Sequence, residues 1–292
     1  MTLINTSVIM SSAEYFSNDQ PINPYYADES VDTAKAIQEH DQIKNYLKEA
    51  GITVTKVPVT PDSQDGVYTA NWALVRGNKA VLAHLPDARK AEEAWAENIL
   101  TEQGIEVIHV PEDWKFSGQG DALPCGDYLF CGSQYRSDPR AQAFAADTLG
   151  YTRIQLQAMP QLDEYGNEQI NASSGWSDSF YYDIDLALSI IKGPSENSLG
   201  TIAYCPEAFT AESRETLKKL EGFEKIIVSE AEAKEAFACN LVSTGEAVVM
   251  SARARQLKSE LEARGLRVFT PEISELAKGG GYIRCTTLSL NE

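Results

Sequence analysis

No stretch of this chain approaches the roughly 20 consecutive apolar residues that a membrane helix needs. The opening residues, MTLINTSVIMSSAEYF, also lack the basic start and apolar run of a secretory leader. Positive charge is scarce. Lys and Arg total 25 against 43 Asp and Glu, a net charge of −18. Nucleic acid and anionic membranes are therefore poor partners, because both require phosphate neutralisation by a basic surface, whereas small cations are favoured. Histidine occurs only at His40, His84 and His109, too dispersed to suggest a metal site. Cysteine occurs five times without a CxxC pair, so zinc is not expected. Cys125, Cys131, Cys205 and Cys239 read as reduced packing thiols of a cytoplasmic protein. No Pro/Gly/Ser-rich linker divides the chain, and residues 1–292 are expected to form a single domain.

What the chain does contain is a repeat. In NWALVRGNKAVLAH, residues Asn71 to His84, two short apolar runs flank Gly77-Asn78 and read as a β-hairpin. ARKAEEAWAENILTEQ follows with Ala91, Trp95, Ile99 and Leu100 on one helical face, then Gly104 and the strand IEVIHV. The same order returns around Gly126-Asp127 (helix near Pro139 to Thr148), in YYDIDLALSII to FEKIIVS with a Thr210 cap, and around Gly245. A looser copy opens the chain as SVIM, a helix in VDTAKAIQEHDQIKNYLKEA, and ITVTKVPV. Five ββαβ-like units at a spacing of roughly 50–60 residues indicate an α/β fold arranged as a closed five-bladed propeller with pseudo-fivefold symmetry. The other arrangement compatible with them is an open α/β sheet with similar crossovers. The polar stretch 160–178 reads as a lid or binding loop rather than a plain connector.

In a closed ring, equivalent positions meet at the axis. They would be Asp65 to Asn71, Gln119 to Asp121, Asp183 to Asp185, Asn240, and Gly279 to Cys285. Each has an ordinary structural reading. Asn71 in YTAN can close a turn, and SGQGDA lacks the GKS/T of a phosphate loop. On a strand, Asp183 and Asp185 would face the same way, a costly arrangement in an apolar hairpin without a cation or solvent. Cys285, in the strand-like KGGGYIRCTTLSL, can be a core thiol.

Taken in order, these segments resemble the pentein superfamily of guanidino-modifying proteins, the arginine deiminase, dimethylarginine dimethylaminohydrolase and amidinotransferase group. QPINPYYAD resembles the family's Y-x-INPWM, and DGVYTANWALV its F-T-A-N or F-T-R-D. SGQGDALP resembles E-G-D, and GSQYRSDPRA resembles G-x-x-x-R-T-D-x-R. YYDIDLAL is similar to F-Y-H-L-D, and GGGYIRCTTLSL to G-G-x-x-R-C.

The resemblance implies a cysteine-dependent hydrolase of a small cationic guanidino compound such as arginine or a methylarginine. Cys285 would attack the guanidinium carbon, an amine or ammonia would leave, and water would cleave the S-linked amidino intermediate. The glycine run would keep side chains out of the path of a flat substrate. By position Asn71, Asp121 and Asp185 would bind the guanidinium, with Asp65 and Gln119 beside them. Arg136 would pair with a substrate carboxylate, and Asn23 would hold the substrate backbone. No metal or organic cofactor is implied, and a homodimer is compatible with the resemblance.

Two positions depart from the family. Asp183 stands where the family has histidine, and Gln119 where it has glutamate. Asp183 could serve as the acid/base only if burial and its acidic neighbours raised its pKa. Several readings stay open: a hydrolase in which Asp183 is an unusual general base or another anchor for a cationic substrate, a changed polar set that recognises a different amidino or ureido group, an amidinotransferase that needs an acceptor amine, and a non-enzymatic member that binds an amidino or ureido ligand or a macromolecular partner.

Overall fold

A computed structural model describes residues 3–26, 29–61, 63–111, 113–132 and 134–290. Ala27 and Asp28 of the QPINPYYAD segment and Ser133 of GSQYRSDPRA lie outside the described residues. The elements run β1 (Ser7–Met10), α1 (Thr33–Glu49), β2 (Thr53–Lys56), β3 (Ala73–Arg76), β4 (Lys79–Leu82), α2 (Ala91–Glu102), β5 (Glu106–His109), β6 (Ala122–Cys125), β7 (Tyr128–Cys131), α3 (Pro139–Leu149) and β8 (Thr152–Gln155). They continue as β9 (Leu188–Lys192), β10 (Gly200–Tyr204), α4 (Ala211–Lys219), β11 (Phe223–Ile227), α5 (Glu230–Ala236), β12 (Val242–Ser243), β13 (Ala247–Val249), α6 (Arg255–Ala263), β14 (Arg267–Phe269) and β15 (Leu288–Ser289).

The described strands form five three-stranded sheets of one design. A first strand pairs antiparallel with a middle strand, and the middle strand pairs in parallel with a third that follows a helix. The β3–β4 and β6–β7 hairpins turn tightly because Gly77 and Gly126 adopt φ of +59° and +58°, a region closed to most side chains. The opening unit is looser in sequence for a topological reason. Its antiparallel strand comes from the far end of the chain, β15, with Val8 opposite Ser289.

Burial sorts the strands. β3, β9, β12 and β15 are almost wholly buried, whereas β2 and β5 alternate exposed ends with half-buried centres. The helices seat against the third strands. In α2 the buried face is Glu92, Ala96, Ile99 and Leu100. Ala91 is exposed and Trp95 only half-buried, correcting the expected stripe by one position. The shift follows from Glu92, which is pulled inward to a buried arginine and to the indole N–H of Trp72. The α3 helix starts at Pro139 as expected, with the Asp138 side chain capping its first turn, and α4 is capped by the Thr210 hydroxyl.

Two of the readings are corrected. Asp183 and Asp185 are not on a strand: Asp183 caps a 3-10 turn over Ile184–Leu186, and β9 begins only at Leu188. Cys285 is likewise in a turn, closed by Thr286 and Thr287 N–H groups donating to the Ile283 and Arg284 carbonyls, and only Leu288–Ser289 are strand. The helix α5, capped by Ser229, fills a stretch to which the sequence had assigned no element. Loop 160–178 folds back on itself through bridges between Leu162 and Glu168 and between Ile170 and Ser177. No helix among the described residues is long and apolar enough to cross a membrane.

Candidate active site

Five connectors, each leading into the first strand of a sheet, deliver one polar group apiece to a common centre. They carry Asn71 before β3, Asp121 before β6, Asp185 before β9, Asn240 before β12 and Cys285 before β15. All five are buried. The repeat in the sequence is what makes these positions equivalent.

At the centre, Cys285 Sγ lies 3.4 Å from Asp185 Oδ2 and accepts the Asn240 amide at 3.1 Å. Its backbone is pinned on both sides, the N–H to Asn240 Oδ1 at 3.1 Å and the carbonyl to the Ala70 N–H at 3.0 Å. Asp183 Oδ2 accepts the Asn71 amide at 2.7 Å. Asp183 Oδ1 and Asp185 Oδ1 are buried and have no partner among the described residues.

The electrostatics are those of a site short of positive charge. Burial, then the neighbouring Asp183, pushes Asp185 up to about 8, with Arg284 and bonds from Cys285 and Asn240 holding it back. Burial raises Asp183 as well, against the pull of Arg136, Ser117 and Asn71. Asp121 is raised further by burial and Asp183. The Cys285 thiol is pushed well above its ordinary value by burial first, then by Asp185. A buried carboxylate oxygen without a donor is costly, and a cation placed between the two orphan oxygens would lower all of these values together.

The other expected residues are placed close by but spend their atoms on the protein. Gln119 Oε1 accepts Arg284 Nη2 at 2.9 Å and the Ser289 N–H at 2.8 Å, while its amide donates to the Ser289 carbonyl at 2.7 Å. Asp121 accepts the Ile184 N–H at 3.0 Å and the Gln142 amide at 3.1 Å, so it fixes the turn that carries Asp183 and Asp185. Asp65 accepts Tyr26 Oη and Gln64. Asn71 Oδ1 accepts Arg89 Nη1 at 2.7 Å. Arg89 is in turn forked onto Glu92 at 2.8 and 2.6 Å, a fully buried ion pair behind the site. Arg136 lies 4.0 Å over the Tyr182 ring and donates to the Ile22 carbonyl. Asn23 donates to the Gly279 carbonyl at 3.0 Å.

The glycine run serves a different purpose from the one expected of it. A Cβ on Gly280 would come within 2.3 Å of Asn23 Oδ1, and one on Gly281 within 2.4 Å of the Tyr68 ring. The glycines therefore admit Asn23 and Tyr68 against the backbone rather than leaving an open wall. None of the three histidines reaches the site: His40 is buried beside Lys56 and held neutral by burial, with its pKa lowered to about 3. His84 faces Lys90 and His109 faces Glu97.

Sequence reasoning did not assign Asn240, Arg284 or Glu39. The Glu39 carboxylate on α1 accepts the Ser274, Glu275 and Leu276 N–H groups at 2.8 to 3.0 Å, anchoring the run into the glycines. Asn240 carried a signal as the start of a hairpin. Glu39 carried none, because a helix face does not announce a backbone partner more than 200 residues away.

The family model for N,N-dimethylarginine dimethylhydrolases of eukaryotic type matches residues 8–167. The chain belongs to that family. Within this dimethylarginine dimethylhydrolase family, it is 30% identical over 97% of its length to the N(G),N(G)-dimethylarginine dimethylaminohydrolase of Mycobacterium tuberculosis, covering 85% of that protein. It is 27% identical over 98% of its length to the bifunctional arginine dihydrolase/ornithine cyclodeaminase ArgZ of Synechocystis, but spans only 38% of that protein. A solved N-terminal domain of an ArgZ variant with a covalently bound reaction intermediate superposes with a TM-score of 0.84, at 26% identity and 98% coverage of both chains.

Proposed function

We propose that this member of the family is a cysteine-dependent hydrolase that cleaves a C–N bond of a small guanidino compound. The observation that carries the reading is the Cys285 sulfur set 3.4 Å from Asp185, with two buried carboxylate oxygens, on Asp183 and Asp185, left without donors. A guanidinium supplies planar donors and one positive charge, which is what that centre lacks. Arginine and methylated arginines are the preferred substrates, in keeping with the activities for which the ArgZ and M. tuberculosis relatives are named.

As the cation docks between Asp183 and Asp185, its charge favours ionisation of both the thiol and the carboxylates. The Sγ proton passes to Asp185, and the thiolate attacks the guanidinium carbon to form an S–C bond. Asp185 returns that proton to the departing nitrogen, and ammonia or an amine leaves. Water then adds to the S-linked amidino carbon, its proton taken by Asp185 or Asp183. Collapse releases the ureido product and restores the thiol. Asp183 takes the family histidine's place as a carboxylate anchor held by Asn71. Asp121 and Gln119 fix the turns on which Asp185 and Cys285 ride. Arg136, half of whose fork is free of the Ile22 carbonyl, meets the substrate carboxylate, with Asn23 and Asp65 shaping that end.

The five equivalent sheets and five converging connectors favour a closed five-bladed α/β propeller over one domain, 1–292, with the site on its axis. We place the protein in the cytoplasm on the strength of its five unpaired cysteines.

The test is incubation with arginine, Nω-methylated arginines, agmatine and guanidino acids, reading ureido product and released amine. Turnover by the parent with none by Cys285→Ser is expected, together with a mass adduct on Cys285 after rapid quenching. Product only when glycine or ornithine is added would replace hydrolase by amidinotransferase. No turnover, with parent and Cys285→Ser binding ligands alike, would leave a non-enzymatic binding protein, the reading favoured by Asp183 in the histidine position.

A further inference from the structure

Asn240 is the neutral donor on the nucleophile's sulfur, and nothing in the reaction above has used it. It is fully buried in the connector before β12. Its Oδ1 accepts the Cys285 N–H at 3.1 Å, and its own carbonyl accepts the Arg284 N–H at 3.4 Å. A backbone N–H can only donate, so the amide oxygen must face it. The amide NH2 group is thereby turned to Sγ, 3.1 Å away. The same group reaches the Asp185 carboxylate and restrains its proton affinity.

We propose that Asn240 is a catalytic residue, the hydrogen-bond donor that stabilises the Cys285 thiolate and aims it at the substrate carbon. The inference rests on the reading of Cys285 as nucleophile. With Asp183 and Asp185 beside it, a sulfur that ionises adds a further negative charge to a crowded acidic centre. A basic side chain would offset that charge but would compete with the substrate cation for the same carboxylates. An uncharged amide offsets it without that competition, and its donor strength does not change between acid and alkaline pH. No proton leaves Asn240. Its bond to sulfur slackens as the S–C bond forms and is regained when the thiolate departs in the second step. Its grip on the Cys285 N–H keeps the turn, and so the direction of Sγ, fixed throughout.

The test is the pH dependence of Cys285 carbamidomethylation by iodoacetamide in the whole chain. Peptide mass spectrometry keeps the four other buried cysteines from entering the reading. Parent, Asn240→Asp and Asn240→Ala are compared. The midpoint of alkylation is expected to rise by about one pH unit or more in both, a roughly tenfold loss of rate at neutral pH. The Asp variant should move further, because it adds a charge. The alkaline plateau should stay within about threefold of the parent, since access is unchanged. A folded variant whose midpoint lies within about 0.3 units of the parent overturns the proposal. So does failure of both variants to fold, which would assign Asn240 to the fold instead. Turnover is scored separately: a shifted midpoint in a protein that turns over no guanidino compound supports Asn240 and sinks the hydrolase, and turnover with unshifted midpoints does the reverse.

Discussion

Asp185 has one oxygen on the nucleophile's sulfur and the other without a partner, so its charge is costly in the empty site. Its pKa near 8 stands above the ordinary carboxylate value, so the folded chain takes up this proton before the unfolded chain does. The resulting penalty on stability is complete above pH 8 and fades as pH falls toward 4. Asp185→Asn should therefore raise the thermal midpoint at pH 9 and leave it nearly unchanged at pH 4.5, as read by calorimetry, while lowering kcat by on the order of 10²-fold or more. A midpoint that drops at pH 9 would mean that the carboxylate stabilises the empty fold. At this scale the sequence was informative about residue types and their order: the cysteine, the two aspartates and the arginine were legible. Which atoms stay free was not. Gln119 and Asp121 look like ligands until their partners, Ser289 and Ile184, are seen, because hydrogen bonds between connectors depend on distances that no spacing encodes.

At the scale of elements, the glycine run is a packing device. Gly281 lies against the flat of Tyr68, whose hydroxyl is tied to the Leu276 carbonyl at 2.5 Å and cannot swing aside freely. Gly281→Ala is expected to cost about 1–3 kcal/mol in urea unfolding by overpacking. It should also depress kcat more than KM, because the displaced segment carries Cys285. Unaltered stability would show that Tyr68 yields. The hairpins and helices were readable because turn glycines, apolar periodicity and caps act locally. The turns holding Asp183 and Cys285 were not, since their short polar runs between apolar residues fit strand alternation equally well and only tertiary contacts select the tight turn. The α5 helix was missed for a related reason: its seven residues are too few for periodicity to register.

For the whole molecule, the five-unit repeat carried most of the fold, and the one irregular unit was irregular because β15 lies at the far end of the sequence from β1. The net charge of −18 acts at this scale too. It should speed capture of a cationic guanidine at low salt, so raising ionic strength from about 0.01 to 0.2 M is expected to lower kcat/KM for agmatine several-fold and for zwitterionic arginine less, by steady-state assay. Equal salt effects on the two would deny long-range steering. The β1–β15 pairing has a kinetic consequence. The nucleophile's turn leads directly into β15, whose partner β1 lies at the other end of the sequence, and contacts of such long range form slowly. During refolding, the other four connectors can be in place while the thiol is still open to solvent. Reactivity and competence therefore part company in time: Cys285 is most exposed to chance oxidation or alkylation just before the chain can use it.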